Sequence, residues 1–462
     1  MRWIIAFIFT ANYVLAAPPF APKPATYLYG QLWAKSAASL GAADWSSFRG
    51  PNASGVADGM KLPAQWDAAK GEGVLFKVKI PGLAHSSPVI AGERLFLTTA
   101  VSNIADPTFK PGLYGAGTAA ADRSVHEWRV ICLNKKTGKT LWSRVAVKKT
   151  PTDKRHIKAT YANATPATDG ECVVAFFGSE GLFAYSMAGK FLWKKNLGRL
   201  DVGAYDLTEY EWGSASSPII WRGKVFVQCD TQKDSFIVAL DVKTGKELWR
   251  TKRDELPSWG TPNVWPGKAP ELVTNGSKFI RGYHPETGKE LWRLGGSSKI
   301  TAPTPVFAGD RIIVASGRHP ERPIFCLSAG GRGNLTGSKH VAWQNRRGPY
   351  MPTPLIYRGK VYALNNSGLI GCFDLKTGRE HYYERIRHRG HGFSASPVAA
   401  DGKIYCAGED GIVFVFTAGE QFRPPIERAV GETLMATPAM SDGVLYLRGT
   451  RTLFAVGKKK DQ

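Results

Sequence analysis

Three close-set arginines, Arg385, Arg387 and Arg389, and the neighbouring pair Arg346 and Arg347 are the residues of this chain best suited to chemistry with an anion. Lys154 with Arg155, and Arg318 with Arg322, make further groups of the same kind. Convergent guanidinium groups hold carboxylate, sulfate or phosphate through paired, charge-assisted hydrogen bonds. The opposing reading is a solvated basic surface. The chain has 61 Lys and Arg against 38 Asp and Glu, a net charge of +23, which supplies some clusters without any ligand. Such a charge also implies non-specific, salt-sensitive association with nucleic acid in vitro.

Other chemistry is thinly represented. The six cysteines include no CxxC and no adjacent pair, so neither a zinc site nor a redox motif is drawn. Cys132, Cys326 and Cys372 share a repeated position that other repeats fill with Ala184 and Ala239, which reads as a small buried residue. No G-x-S-x-G, H-E-x-x-H, P-loop or dinucleotide fingerprint stands in a fitting context. Glu420 and Glu432 read as single solvated carboxylates, and no catalytic residue and no metal ligand is assigned.

The elements that must carry these residues are repeats. A strand-opening signature of Ser or Thr, Pro and a small or apolar residue recurs eight times, with its prolines at 88, 166, 218, 262, 305, 354, 397 and 438. After the first two intervals the spacing is 41 to 49 residues, and period-2 strands follow most copies. A period just above 40 is that of a four-stranded propeller blade. A second signature closes most repeats: Ala239-Leu-Asp-Val-Lys-Thr-Gly-Lys-Glu-Leu-Trp249, in which Thr-Gly turns a hairpin and the Trp packs between blades. Trp142, Trp193, Trp249, Trp292, Trp343 and Tyr382 occupy that docking place.

With these motifs the chain resembles the pyrroloquinoline-quinone (PQQ) type of β-propeller repeat, over about residues 73 to 457. The opening Asp44-Trp45-Ser-Ser-Phe48-Arg49-Gly50-Pro51-Asn52 is similar to secreted bacterial members of that group. The expected fold is all-β: eight four-stranded antiparallel blades, with Gly73–Ile80 supplying the outer strand that the last repeat lacks. The expected organisation is a signal peptide over 1–16, an extension and linker over 17–72, the propeller over 73–457 and a basic tail over 458–462. The signal reading rests on Arg2, the apolar run from Trp3 and the small residues around Ala16, with a retained anchor as the alternative.

In such a ring the crossings between blades and the second-to-third-strand loops emerge on one face. The long excursions and the basic residues named above fall on these loops, so one face should be elaborate and basic. Residues just before the inner strands should rim the channel: His85, Tyr161, Asn163, Glu211, Trp212, Trp259, Tyr350, His391 and Phe393. They would either bind a planar ligand or a peptide, or plug an axial void.

The resemblance offers two functions. In PQQ-dependent alcohol dehydrogenases calcium is held by Glu and Asn, an Asp is the base, a Trp floors the quinone and a Cys–Cys disulfide lies above it. Here Glu211, Asn163, Asp206 or Asp230 and Trp259 are loose counterparts, and the Cys–Cys dipeptide is absent. The lipoprotein of the outer-membrane assembly machinery has a similar fold, is non-catalytic and binds its partner through one face. The reading adopted is an exported, periplasmic or secreted binding scaffold without a cofactor. It would take a protein or an anionic glycan on its basic face; export argues against nucleic acid. A PQQ- and calcium-dependent oxidoreductase is the alternative.

Overall fold

The computed structural model describes residues 40–104, 108–113, 119–120, 122–204 and 210–458. Eight antiparallel sheets follow one another round a ring. Blade 1 comprises Val89–Ala91, Arg94–Ser102, His126–Asn134 and Thr140–Lys149, running from the axis outwards. Blades 2 to 7 repeat that order. The last blade takes its inner three strands from Ala439–Ser441, Val444–Arg448 and Thr452–Val456, and its outer strand from Val74–Lys79. The ring is thus closed by an N-terminal strand, as the sequence implies. Blade 4 departs from four strands. The Gly-rich insertion after Ser328 adds Gly333–Asn334 in parallel to its outer strand, Glu290–Gly295.

The Ser/Thr-Pro signature has a physical cause. The backbone N–H of Ser87 donates to Thr165 Oγ1 of the next blade at 2.9 Å, Thr165 to Ser217 Oγ at 3.0 Å and Ser217 to Thr261 Oγ1 at 3.0 Å. Beyond a gap, Thr304 donates to Thr353 Oγ1, Thr353 to Ser396 Oγ and Ser396 to Thr437 Oγ1 at 2.9–3.0 Å. Each hydroxyl therefore belts its blade to the one before it, and the proline that follows has no N–H to satisfy. At the gap between blades 4 and 5, Thr304 Oγ1 is buried without a partner. There Asn263 bridges instead, donating to Pro305 O at 3.0 Å.

The second signature is an inter-blade lock. Asp241 Oδ1 accepts from the N–H groups of Lys243 and Thr244 and from Thr244 Oγ1, fixing the turn. The Thr244 hydroxyl is the leading cause that holds the Asp241 carboxyl below its usual range. Asp374 with Thr377 repeats this arrangement. The indole N–H of four docking Trp residues donates to a carbonyl in the next blade's hairpin: Trp142 to Met187, Trp193 to Val242, Trp249 to Pro285 and Trp343 to Leu375, at 2.9–3.0 Å. The turn glycine of that hairpin lies flat on the Trp ring.

Gly288, at φ 71°, is such a position: a Cβ there would stand 2.4 Å from the Trp249 ring. Gly223 has the same backbone sign, φ 74°, with open space around it. Gly223→Ala should therefore cost about 1–2 kcal/mol of left-handed strain. Gly288→Ala should cost that plus about 1–3 kcal/mol of overpacking. Urea unfolding of the two variants checks this; equal losses would remove the Trp contact as the reason for the glycine.

Where the signature is broken, the lock changes. The blade 5 hairpin carries the insertion, and Trp292 turns to Glu271 Oε2 in its own blade at 2.7 Å. Tyr382 packs on Phe422 with ring centroids 5.6 Å apart, and its hydroxyl is buried without a partner. All six cysteines are buried and unbridged. Burial pushes the Cys132 and Cys326 thiols up to about 12, as small hydrophobes would have it.

Candidate functional site

At one end of the ring the axis is crossed by the chain itself. Inner strands leave one edge open to the channel, and residues 45–57 run along those edges before 58–64 pass outward to the Asp401 turn and Arg428 of blade 7. Trp45 pairs with Ile90 of blade 1, its N–H donating at 2.9 Å and its carbonyl accepting at 2.8 Å. Ser46 O accepts from Thr168 of blade 2, and Asn52 O from Asn263 of blade 4 at 2.7 Å. Ala57 and Gly55 then pair with Ala399 of blade 7. The segment expected to be an extension and linker is, from Asp44 to Ala64, bound into the propeller.

Its tight course explains the Asp44–Asn52 motif. Gly50, at φ 72°, lies on the Trp45 ring, where a Cβ would come within 2.5 Å. Arg49 is fully buried and pairs with no carboxylate among the described residues. Its guanidinium donates to the carbonyls of Ala53, Ser54 and Thr353, the last in blade 6. Desolvation pulls its pKa down to about 9. A buried cation held only by carbonyls is a costly device that fixes one conformation of the thread.

The upper end is clasped. Lys158, on the crossing from blade 1 to blade 2, pairs with Glu409, beyond the second strand of blade 7 (Nζ–Oε1 2.6 Å). Glu409 is fully buried and also accepts from Ser394 Oγ at 2.7 Å and from the Gly112 N–H at 2.8 Å. Gly112 belongs to the long excursion of blade 1, so that loop too is drawn across to blade 7.

The residues expected on the channel rim are scattered among structural roles. His85 donates from Nε2 to Lys158 O (2.9 Å), and desolvation pushes its pKa down to about 3, leaving it neutral. Tyr161 stacks edge-on with His126 at 4.8 Å and under the Arg155 guanidinium at 5.5 Å. Trp212 and Trp259 lie 5.8 Å apart in one small cluster with Ile300 and Tyr350. Phe393 is wholly buried between His388 and Phe414, and His391 is exposed.

The loose counterparts of a calcium–quinone centre do not make one. Asn163 Oδ1 accepts from Thr160 N and Oγ1 at 2.9 and 2.8 Å. Glu211 spends its oxygens on Lys154 N–H (2.9 Å) and Arg199 (3.1 Å). Asp230, fully buried, is gripped by Arg253 at 2.7 and 3.1 Å and by Ser258 and Gln228. Trp259 donates its indole N–H to Gly213 O at 2.8 Å. Asp206 lies outside the described residues. These donors are already committed to protein groups and do not fit the cofactor.

The basic residues divide in two. Arg155 is buried, donating to Ala159 O and Thr108 O, and so staples loops together. Arg318 is half-buried, with Nη1 enclosed and unpartnered; Arg322 is half-buried as well. Arg347 stacks on Tyr383 at 4.1 Å and pairs with Glu380. Arg385 donates to Ser367 O, and Arg389 pairs loosely with Glu427 at 3.8 Å. Lys154, Arg346 and Arg387 are exposed and make no ion pair among the described residues. The clasp itself was missed by the sequence reading: Glu409 follows a strand with no local motif, and only its partner Lys158 stood in a visible cluster.

Comparison with solved structures places the fold. BamB from Moraxella catarrhalis superposes with a TM-score of 0.52 at 15% identity, over 79% of this chain and 99% of that one. Quinohemoprotein alcohol dehydrogenase from Comamonas testosteroni gives 0.61 at 13%, over 94% and 85%. A europium-containing methanol dehydrogenase gives 0.59 at 10%, over 90% and 91%. At these identities the likeness is one of fold. No curated protein sequence matches the chain. The family described as outer membrane protein assembly factor BamB matches residues 32–258 and 233–332, more than half of the sequence, and the chain belongs to that family of PQQ-like propellers.

Proposed function

We propose that this protein is an exported, non-catalytic scaffold that binds a protein or an anionic glycan through its loop-rich basic face. The carrying observation is what the chain already spends around the axis: residues 45–57 pair with inner-strand edges of blades 1, 2 and 7, and the Lys158–Glu409 pair ties the crossing between blades 1 and 2 to blade 7. The side chains that would hold calcium and quinone are already bonded to protein groups. Family membership supports the same reading. Among the described residues no helix is long and apolar enough to cross a membrane. Export rests on the N-terminal apolar run, which lies outside the described residues.

Two measurements test it. Calorimetric titration of the purified chain with PQQ, with and without calcium, should give no saturable heat; calcium-dependent saturation would restore the dehydrogenase reading. Replacing Arg385, Arg387 and Arg389 together by Ala should weaken capture of a partner from an envelope extract at least tenfold, since exposed arginines of this kind act as electrostatic recognition groups. Undiminished capture would remove the basic face from the proposal.

A further inference from the structure

The outer edges of blades 1 to 3 carry a feature that the channel and the loop face do not use. The residue before each docking Trp is a leucine: Leu141, Leu192 and Leu248, exposed by 47%, 40% and 45%. Val145 and Phe191 add 46% and 50% on the same strands. Large apolar side chains in equivalent places on three adjacent blades form a pattern, whereas single exposed ones are ordinary. These outer strands, Thr140–Lys149, Phe191–Lys195 and Glu247–Lys252, also end their sheets, so each presents a row of unpaired backbone groups.

The chain shows on its own blade 4 how such an edge is covered. There the equivalent Leu291 is only partly exposed, because Gly333–Asn334 lies in parallel along the outer strand, Gly333 opposite Trp292 and Asn334 opposite Arg293. Leu335 N–H donates to Arg293 O at 2.8 Å, and Thr336 Oγ1 accepts from Gly295 N–H at 2.9 Å. Leu335 is buried in the cluster that Leu291 and Trp292 share. An extended segment with one apolar residue is therefore a proven fit to this kind of edge, by strand addition.

Charge names the occupant for the uncovered edges. The three strands carry seven Lys or Arg and one carboxylate, Glu247; Lys148, Lys149 and Lys252 pair with Glu127, Glu180 and Asp234 nearby, and Lys195 and Arg250 share Glu247, which still leaves these edges net positive. The outer strand of blade 4 balances Glu290 with Arg293, and that of blade 5 has no charge. Two like-charged edges repel, which disfavours pairing with a second copy of this chain. We propose that the outer edges of blades 1 to 3 receive an acidic, extended segment of a partner protein, added as a further strand with an apolar residue against the exposed leucine. This surface lies apart from the loop-rich face and stands or falls independently of it.

The probe is a synthetic peptide carrying the chain's own Gly-Asn-Leu-Thr core flanked on each side by two glutamates, offered to the full-length protein. Hydrogen–deuterium exchange should slow in residues 140–149, 191–195 or 247–252 and stay unchanged in the outer strands of blades 5 to 7. Binding should weaken at least tenfold in the triple variant Leu141→Ser, Leu192→Ser, Leu248→Ser, whose exposed sites leave the fold intact by Trp fluorescence. It should also weaken when the flanks are lysine, and it should persist when Arg385, Arg387 and Arg389 are Ala. Absence of protection at millimolar peptide, equal protection by the lysine-flanked version, protection confined to the loop face, or an unaffected triple variant would each overturn the proposal.

Discussion

A chain lacking residues 73–80 should lose cooperative unfolding of the whole ring, with no single melting transition where the intact protein shows one. The strand Val74–Lys79 pairs with Thr452–Val456 from Val74↔Val456 to Lys79↔Thr452. It also docks the last blade on the first, because Gly138 of blade 1 lies against Phe76 and Val78 as other turn glycines lie on Trp. Without it the Thr452–Val456 edge is bare, Phe454 and Leu453 lose their cover, and the junction between blades 8 and 1 has neither its outer strand nor its lock. Propeller blades bury their faces only on neighbours, so an open junction weakens both sides of the ring. Thermal unfolding followed by Trp fluorescence decides; an unchanged melting temperature would break the closure account.

The second large effect should come from Lys158→Met. It leaves the Glu409 carboxylate, fully enclosed, with only Ser394 Oγ and the Gly112 N–H as donors. Removing one partner of a buried ion pair costs about 3–5 kcal/mol, because the other charge stays desolvated. The double variant Lys158→Met with Glu409→Leu should regain most of that, since it removes the stranded charge together with the pair. Urea midpoints of the single and double variants give the answer. A single variant within about 1 kcal/mol of the parent would show that the clasp is open to water and contributes little.

The fold was readable because its determinants are local and repeated. Thr244-Gly245 and Trp249 announce a turn and a knob within one short stretch, and the ring repeats them. The Ser/Thr of the strand-opening signature was visible too, although its partner is the N–H of the preceding blade, which no single repeat reveals. The axis was not readable for the opposite reason. Arg49 meets Thr353, and Lys158 meets Glu409, across several blades; each residue looks like any other charge in its own neighbourhood. Arg155 was grouped with surface cations by adjacency to Lys154, yet one residue's difference in direction buries it against Thr108 O. Asp230 likewise gave no hint in sequence that Arg253, Ser258 and Gln228 would enclose it. Edge leucines are hidden in the sequence because Leu-Trp, present in the first four repeats, reads as core, and only the ring shows which side of that dipeptide faces water.

The N-terminal thread has a bearing on how the molecule is made. The stretch that crosses the channel must wait for inner strands as late as Val398–Ala400, and Val74–Lys79 must wait for Thr452–Val456. This stretch is therefore made before the strands it pairs with and finds its place only after them. Until those strands are made, the first blades have neither seal nor closing strand, and their uncovered edges stay exposed. Assembly of the ring is bound to the arrival of Thr452–Val456, so a product truncated before that strand leaves an unfinished ring that holdase chaperones and proteases would recognise.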